Sequence, residues 1–164
     1  SFTGVRIGVC AINGMADALN KPVIPVDSLE AMAFGFPFFA GLAIPLADAR
    51  GEQVYAGRYD VESGEPKRVG ERFAGNIRDC LQELPKEHPM VFMGDGALAH
   101  KALILSSFPE AKFAPAHLDR PRAGAIAALA AKRLERGETA TAAMPLYMRS
   151  PQAERMRALR EQNG

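Results

Sequence analysis

Leu42-Ala43-Ile44-Pro45-Leu46-Ala47-Asp48-Ala49, then Arg50-Gly51-Glu52, then Gln53-Val54-Tyr55-Ala56-Gly57-Arg58-Tyr59-Asp60: two strand-like runs flank a short charged tripeptide centred on glycine. The arrangement predicts a β-hairpin whose turn holds glycine at positive φ. Downstream, the turn Glu62-Ser63-Gly64 leads to a third strand expected at about Pro66–Val69. Phe73, Ile77, Cys80, Leu81 and Leu84 then return at helical spacing, which predicts a helix between Val69 and Leu84 that Pro85 ends. Met90-Val91-Phe92-Met93 is a short apolar strand, Gly94-Asp95-Gly96 a turn, and Ala97–Phe108 a helix. A brief strand near Ala111-Lys112-Phe113 and a long alanine-rich helix from Arg122 to about Arg136, closed by Gly137, complete the order. Three strands, helix, strand, helix, strand, helix is the order of an α/β lobe with a mixed sheet.

Upstream of the hairpin, Phe34, Phe36, Phe38 and Phe39 are read as core plugs by the burial preference of phenylalanine. Asp27 with Glu30 three residues on predicts a capped helix, and Val23-Ile24-Pro25-Val26 a short strand that proline pushes toward an edge. The opening stretch, Ser1 to Leu19, predicts a helix capped by Thr3 and stopped by Asn20-Lys21-Pro22. It carries three stripes. Val5, Val9, Ile12, Ala16 and Leu19 form an apolar one, expected to hold the helix to its own lobe. Arg6, Cys10, Asn13 and Asp17 form a polar one. The third is small, and glycine inside a helix costs about 0.5–1 kcal/mol relative to alanine, so its glycines want a reason. Such a helix is either an ordinary core helix or one whose small face meets another subunit; Gly4, Ile7, Gly8, Ala11, Met15 and Ala18 are the residues expected at that interface. A start directly on a helix, without methionine, suggests an upstream segment.

The chain has 164 residues, 48% of them apolar, enough for a genuine core. A net charge of +1 gives no global field for nucleic acid or anionic membrane. Cys10 and Cys80 do not make a disulfide framework. The longest apolar run, Ala31–Ala47, is broken by Gly35, Pro37, Gly41 and Pro45, so no membrane span and no secretory signal is read, and a cytoplasmic home is expected.

Chemistry is sparse. His88, His100 and His117 lie in different elements with no metal-ligand spacing, so no metal site is expected. Gly94-Asp95-Gly96 between strand and helix could be a phosphate cradle, yet no Walker-type lysine follows and Asp95 would repel phosphate, so a tight turn is the favoured reading. Ser106 and Ser107 sit inside an apolar helix without a nucleophile elbow. Arg120-Pro121-Arg122, Lys132-Arg133 and the tail arginines are mixed with acids and lack interleaved aromatics.

Four stretches carry a family resemblance: SFTGVRIG (1–8), PVIPVDSLEAMA (22–33), PLADARGEQVYAGRYD (45–60) and PLYMRSPQAER (145–155). In order and spacing they resemble landmarks of the TsaB (YeaZ) family. That family's Gly-Pro-Gly before Ser-Phe-Thr-Gly and its earlier Asp-Thr-Ser are not in this sequence. The chain is therefore similar to a TsaB protein lacking the first part of its N-terminal lobe. The resemblance implies an actin-like ATPase (ribonuclease H-like) superfold. Residues 1–38 would be the remainder of the N-terminal lobe, 39–148 the C-terminal α/β lobe and 149–164 a polar tail. It implies a non-catalytic subunit, without cofactor or metal, that pairs with a TsaD-like paralogue and a TsaE-like ATPase in threonylcarbamoyladenosine modification of tRNA. Contact with tRNA would come only through the complex. A homodimer through the first helix is a further expectation. The alternative is an actin-like nucleotide-binding or glycoprotease-type metal-dependent hydrolase using Asp95 and a histidine.

Overall fold

The computed structural model describes residues 2–148, with only the backbone at Phe2. The expected solvated tail with Glu154, Arg155, Arg157, Arg160 and Glu161 lies outside the described residues. The chain forms two compact units, one from residues 1–25 with 133–164, the other from 26–132.

In the first unit, helix α1 runs Phe2–Ala18. Thr3 is therefore inside the first turn and does not precede it. The C-terminus closes as predicted at Asn20, which adopts φ +48°: its N–H donates to Asp17 O (3.1 Å), and Lys21 N–H reaches Ala16 O (2.9 Å). This is the Schellman closure, with asparagine in the left-handed place usually held by glycine. The expected strand at 23–26 shrinks to one antiparallel bridge, Val23 with Ala140. Pro22 and Pro25 have no N–H to extend it.

The second unit begins with α2, Ser28–Ala33, capped as expected by Asp27, whose Oδ1 accepts from Leu29 N at 2.9 Å. The helix buries Leu29, Ala31, Met32 and Ala33. The phenylalanine segment after it departs from expectation: none of its four rings is fully buried, and Phe38 is 74% exposed at φ +64°. Its backbone is held there because Phe38 N–H donates to Val61 O at 2.9 Å, which sets the loop and leaves the ring outside.

Strand β1 (Leu42–Asp48) is the centre of the sheet. It pairs antiparallel with β2 (Gln53–Ala56) over its C-terminal half and with β3 (Tyr59–Asp60) over its N-terminal half. The two ladders share one register, with Pro45 opposite Gly57 and Ile44 opposite Arg58. Pro45 has no N–H to offer that edge, so pairing lapses there, and only Gly57 N–H to Pro45 O (3.3 Å) crosses the gap. The turn before β2 places Arg50, Gly51 and Glu52 all at positive φ. Strand β4 (Lys67–Arg68) joins β3, and β5 (Phe73–Asn76) joins β2. Residues 73–76 thus form a strand where helical spacing predicts helix: Gly75 is a poor helix former, while the outer edge of β2 offers four residues to pair with. Asn76 then caps α3 (Ile77–Gln82), its side chain accepting from Arg78 N at 2.9 Å. On the other edge of β1 lies β6 (Met90–Met93), parallel to it. The predicted helix from Ala97 to Phe108 is two, α4 (Asp95–Ala99) and α5 (Lys101–Ser107), broken at His100 (φ −109°, ψ 20°). Strand β7 (Lys112–Phe113) runs parallel to β6, and α6 (Ala123–Glu135) ends at Gly137 with φ +75°. The mixed α/β sheet of the sequence reading is therefore present.

The core fills the space between this sheet and α3, α4 and α5 with Ile44, Leu46, Val54, Ile77, Leu81, Phe92 and Ile104. Each such side chain contributes about 1.5–3 kcal/mol by leaving water. Phe92 lies between Phe113 (ring centroids 5.9 Å) and Phe108 (6.2 Å). A polar anchor joins α2 to the sheet, since Asp27 Oδ2 accepts from Arg72 Nε at 2.6 Å and from Tyr59 OH at 3.5 Å. Burial, reinforced by the charge of Asp27, raises the Tyr59 phenol well above its ordinary range.

Burial likewise pushes the Cys80 thiol from 9.0 up to about 12. Both groups hold their protons longer in the folded chain than in the unfolded one, so the stability they carry is whole at neutral pH and is lost as pH rises. For Cys80 the loss begins near pH 9.0 and ends near 12. Its slope is about 1 kcal/mol per pH unit. Thermal melting across the alkaline range should show it, and Cys80→Ala should flatten the lower part of that fall.

Candidate functional site

Helix α1 is where sequence and structure diverge most usefully. From Thr3 to Leu19 only Val9, Asn13 and Ala16 are half-buried, and every other residue is exposed. Asn13 faces the returning chain: its Nδ2 donates to Ala143 O (3.0 Å) and its Oδ1 accepts from Ala143 N (2.8 Å). Arg6 Nε donates to the Tyr147 hydroxyl at 2.9 Å, and its guanidinium lies 5.8 Å from the Tyr147 ring centre. So Asn13 and Arg6 of the polar stripe make the hydrogen bonds that tie α1 to residues 143–147, while Val9 and Ala16 of the apolar stripe are half-buried beside them. The expectation that Val5, Val9 and Ile12 hold the helix is corrected for Val5 and Ile12, which are 48% and 53% exposed, whereas Val9 is half-buried. The reason is chemical: residues 140–148 run largely without regular structure and present backbone N–H and C=O groups, which an asparagine amide matches on both sides.

The six residues singled out for an interface, Gly4, Ile7, Gly8, Ala11, Met15 and Ala18, follow i, i+3, i+4, i+7 spacing and share one face of α1. That face points away from Asn13 and Val9, and all six residues are exposed, Ile7 to 66% and Met15 to 62%. A Cβ added at Gly8 would meet nothing within 4 Å. Nothing among the described residues requires glycine there.

At the other candidate, Gly94-Asp95-Gly96, the glycines have a packing explanation. Gly94 sits at φ +99°, and a Cβ on it would lie 2.1 Å from Leu46 O. A Cβ on Gly96 would lie 3.0 Å from the same oxygen. The turn presses backbone to backbone on β1, and Asp95 Oδ1 accepts from both Asp48 N and Gly96 N at 2.9 Å. The carboxylate occupies the donors an anion would use, which favours the tight-turn reading over a phosphate cradle.

Among the described residues no three histidine, cysteine or carboxylate side chains gather as metal ligands. His88 and His117 are exposed, while His100 Nε2, at the break between α4 and α5, is buried and has no hydrogen-bond partner among the described residues. Ser106 donates its hydroxyl proton to Leu103 O at 2.7 Å, a local helix bond. The basic clusters are partly paired, Lys132 with Glu65 at 3.6 Å and Arg120 with Asp119 at 4.0 Å. No helix among the described residues is long and apolar enough to cross a membrane.

A curated relative, the tRNA threonylcarbamoyladenosine biosynthesis protein TsaB of Bacillus subtilis (strain 168), is 38% identical over 105 residues, 63% of this chain. The matched stretch spans less than half of that relative, 46% of its length. The solved structure of YeaZ from Pseudomonas aeruginosa superposes with a TM-score of 0.73 and 27% identity, over 90% of this chain and 70% of that one. A crystal structure described as an uncharacterized protein with similarity to peptidase YeaZ, also from Pseudomonas aeruginosa, gives 0.71 and 27% over 91% and 69%. The sheet with its helices is the actin-like (ribonuclease H-like) ATPase fold of these proteins. The family model described as TsaD: tRNA N6-adenosine threonylcarbamoyltransferase matches residues 1–156. The chain belongs to that family, and its relatives place it with the TsaB (YeaZ) proteins.

Proposed function

We propose that this chain is a non-catalytic, activating subunit that pairs through α1 with a TsaD-like paralogue in the threonylcarbamoyladenosine modification of tRNA. The observation that carries the reading is the exposed small-residue face of α1. Gly4, Gly8 and Ala11 let a partner helix approach closely, and Ile7 and Met15 supply the apolar area that such an approach would bury. A helix exposing this much apolar surface away from its own chain is the mark of a contact site. Catalytic groups belong to the paralogue in this scheme, a TsaE-like ATPase joins the assembly, and tRNA is met only through the complex in the cytoplasm. The same face can also meet its own copy around a two-fold axis. In this reading residues 1–38 are the end of an N-terminal lobe, with the C-terminal α/β lobe after them.

Gly8→Leu tests it. The new side chain enters open space in the lone chain and improves helix propensity by about 1 kcal/mol, so folding is preserved. Against a partner the same side chain holds the helices apart, and affinity for the TsaD-like protein should fall at least a hundredfold, roughly the loss of one or two central contacts. Sedimentation and pull-down read the outcome; wild-type pairing by the variant would overturn the proposal.

A further inference from the structure

Three residues between Thr3 and Leu19 are half-buried, Val9, Asn13 and Ala16, and one of the three is polar. At about 100° per residue the small and apolar residues of α1 follow one another unbroken from Ile7 through Gly4, Gly8 and Ile12 to Val9, an arc of roughly 200°. A helix that meets one surface needs only about 100° of it. Burial of apolar area therefore does not choose how this helix is turned. Taken alone, it would favour a turn of about 60° from the one observed, which brings Val5 and Ile12 inward in place of Asn13. Asn13 opposes that turn. Its amide is matched on both sides by one residue, Nδ2 donating to Ala143 O at 3.0 Å and Oδ1 accepting from Ala143 N at 2.8 Å. Arg6, on the same side of α1, reaches the Tyr147 hydroxyl at 2.9 Å. The segment that carries Ala143 is fixed in turn, because Ala140 and Val23 exchange two backbone hydrogen bonds of 2.8 and 2.9 Å.

We infer that Asn13 is the positioning residue of α1: its paired hydrogen bonds with Ala143 set the rotation of the helix about its own axis, and so decide that the face of Gly4, Gly8 and Ala11 points outward. A single polar side chain in an apolar seam fixes register in helical assemblies for the same reason, since any other alignment leaves its hydrogen bonds unmade. Leucine in its place removes that penalty, and the wide apolar arc then lets α1 turn until Val5 and Ile12 lie against its own chain. Gly4 and Gly8 turn with them. The consequence for pairing rests on the function proposed above, whereas the rotation itself does not.

The test uses the full chain with Cys10→Ser, which leaves Cys80, 3% exposed, as the remaining native thiol. Ile12, 53% exposed, and Val9, half-buried, are replaced one at a time by cysteine, and each chain is labelled with a maleimide. With Asn13 present, Ile12→Cys should react about threefold or more faster than Val9→Cys. Adding Asn13→Leu should bring the ratio to about one or below, because Ile12 turns inward. Asn13→Asp has the same shape and keeps the bond from Ala143 N, but an ionised carboxylate cannot donate to Ala143 O, so it should lower the ratio too. Far-UV circular dichroism should show undiminished helix in both, since leucine is a better helix former than asparagine and aspartate an equal one. In the chain with Cys10 intact, Asn13→Leu should weaken affinity for the TsaD-like protein about tenfold. The inference is overturned if either variant keeps the full labelling ratio, if helix is lost, or if the ratio falls while pairing keeps its wild-type strength. Should the wild-type chain not pair at all, the proposed function fails, and the labelling ratio still decides whether Asn13 sets the turn of α1.

Discussion

Gly94→Ala should destabilise the chain by about 4 kcal/mol or more, the range reserved for strain or overpacking at a fixed backbone site. The added Cβ would sit 2.1 Å from Leu46 O and 2.9 Å from Leu46 C, both backbone atoms of the central strand. Neither can rotate away, so α4 has to lift off β1 and Asp95 loses Asp48 N. The φ of +99° adds a conformational cost that only glycine avoids. Gly137→Ala is the control. Its φ is +75°, but a Cβ there meets nothing within 4 Å, so only the conformational cost of about 1–2 kcal/mol remains. Urea unfolding of the two variants separates steric collision from backbone preference; equal losses would show that the contact with Leu46 relaxes freely.

Phe92→Ala should cost about 3–5 kcal/mol, the usual penalty for emptying a large aromatic site. Phe92 is fully buried, touches the rings of Phe108 and Phe113, and sits in β6, which pairs with both β1 and β7. Its removal therefore loosens α5 and the short β7 together. Phe38→Ala should be nearly neutral despite being the same chemical change. Phe38 is already largely in water, with its ring lying over Gly64. Chemical denaturation of the pair checks this, and a loss below about 1 kcal/mol for Phe92→Ala would contradict the packing described.

The hairpin around Gly51, the Asp27 cap, the closures at Asn20 and Gly137 and the apolar strand at 90–93 were all legible in sequence, because each depends on a few adjacent residues. Residues 73–76 were not. Phe73 and Ile77 fall at helical spacing, and only the open edge of β2, far away in the chain, makes a strand the better partner for those backbone groups. The same limit explains α1. Its stripes could be counted, but which one faces its own chain depends on Ala143 and Tyr147, some 130 and 141 residues from their partners. The small-residue face was legible as a face, and its exposure was not.

Pro45 has one more effect. Because it leaves a gap in the donors along one border of the central strand, the flap made by β2 and β5 and the flap made by β3 and β4 are fastened by separate rows of backbone bonds. Amide protons on the two sides of that proline are therefore expected to exchange at different rates, which hydrogen exchange would measure.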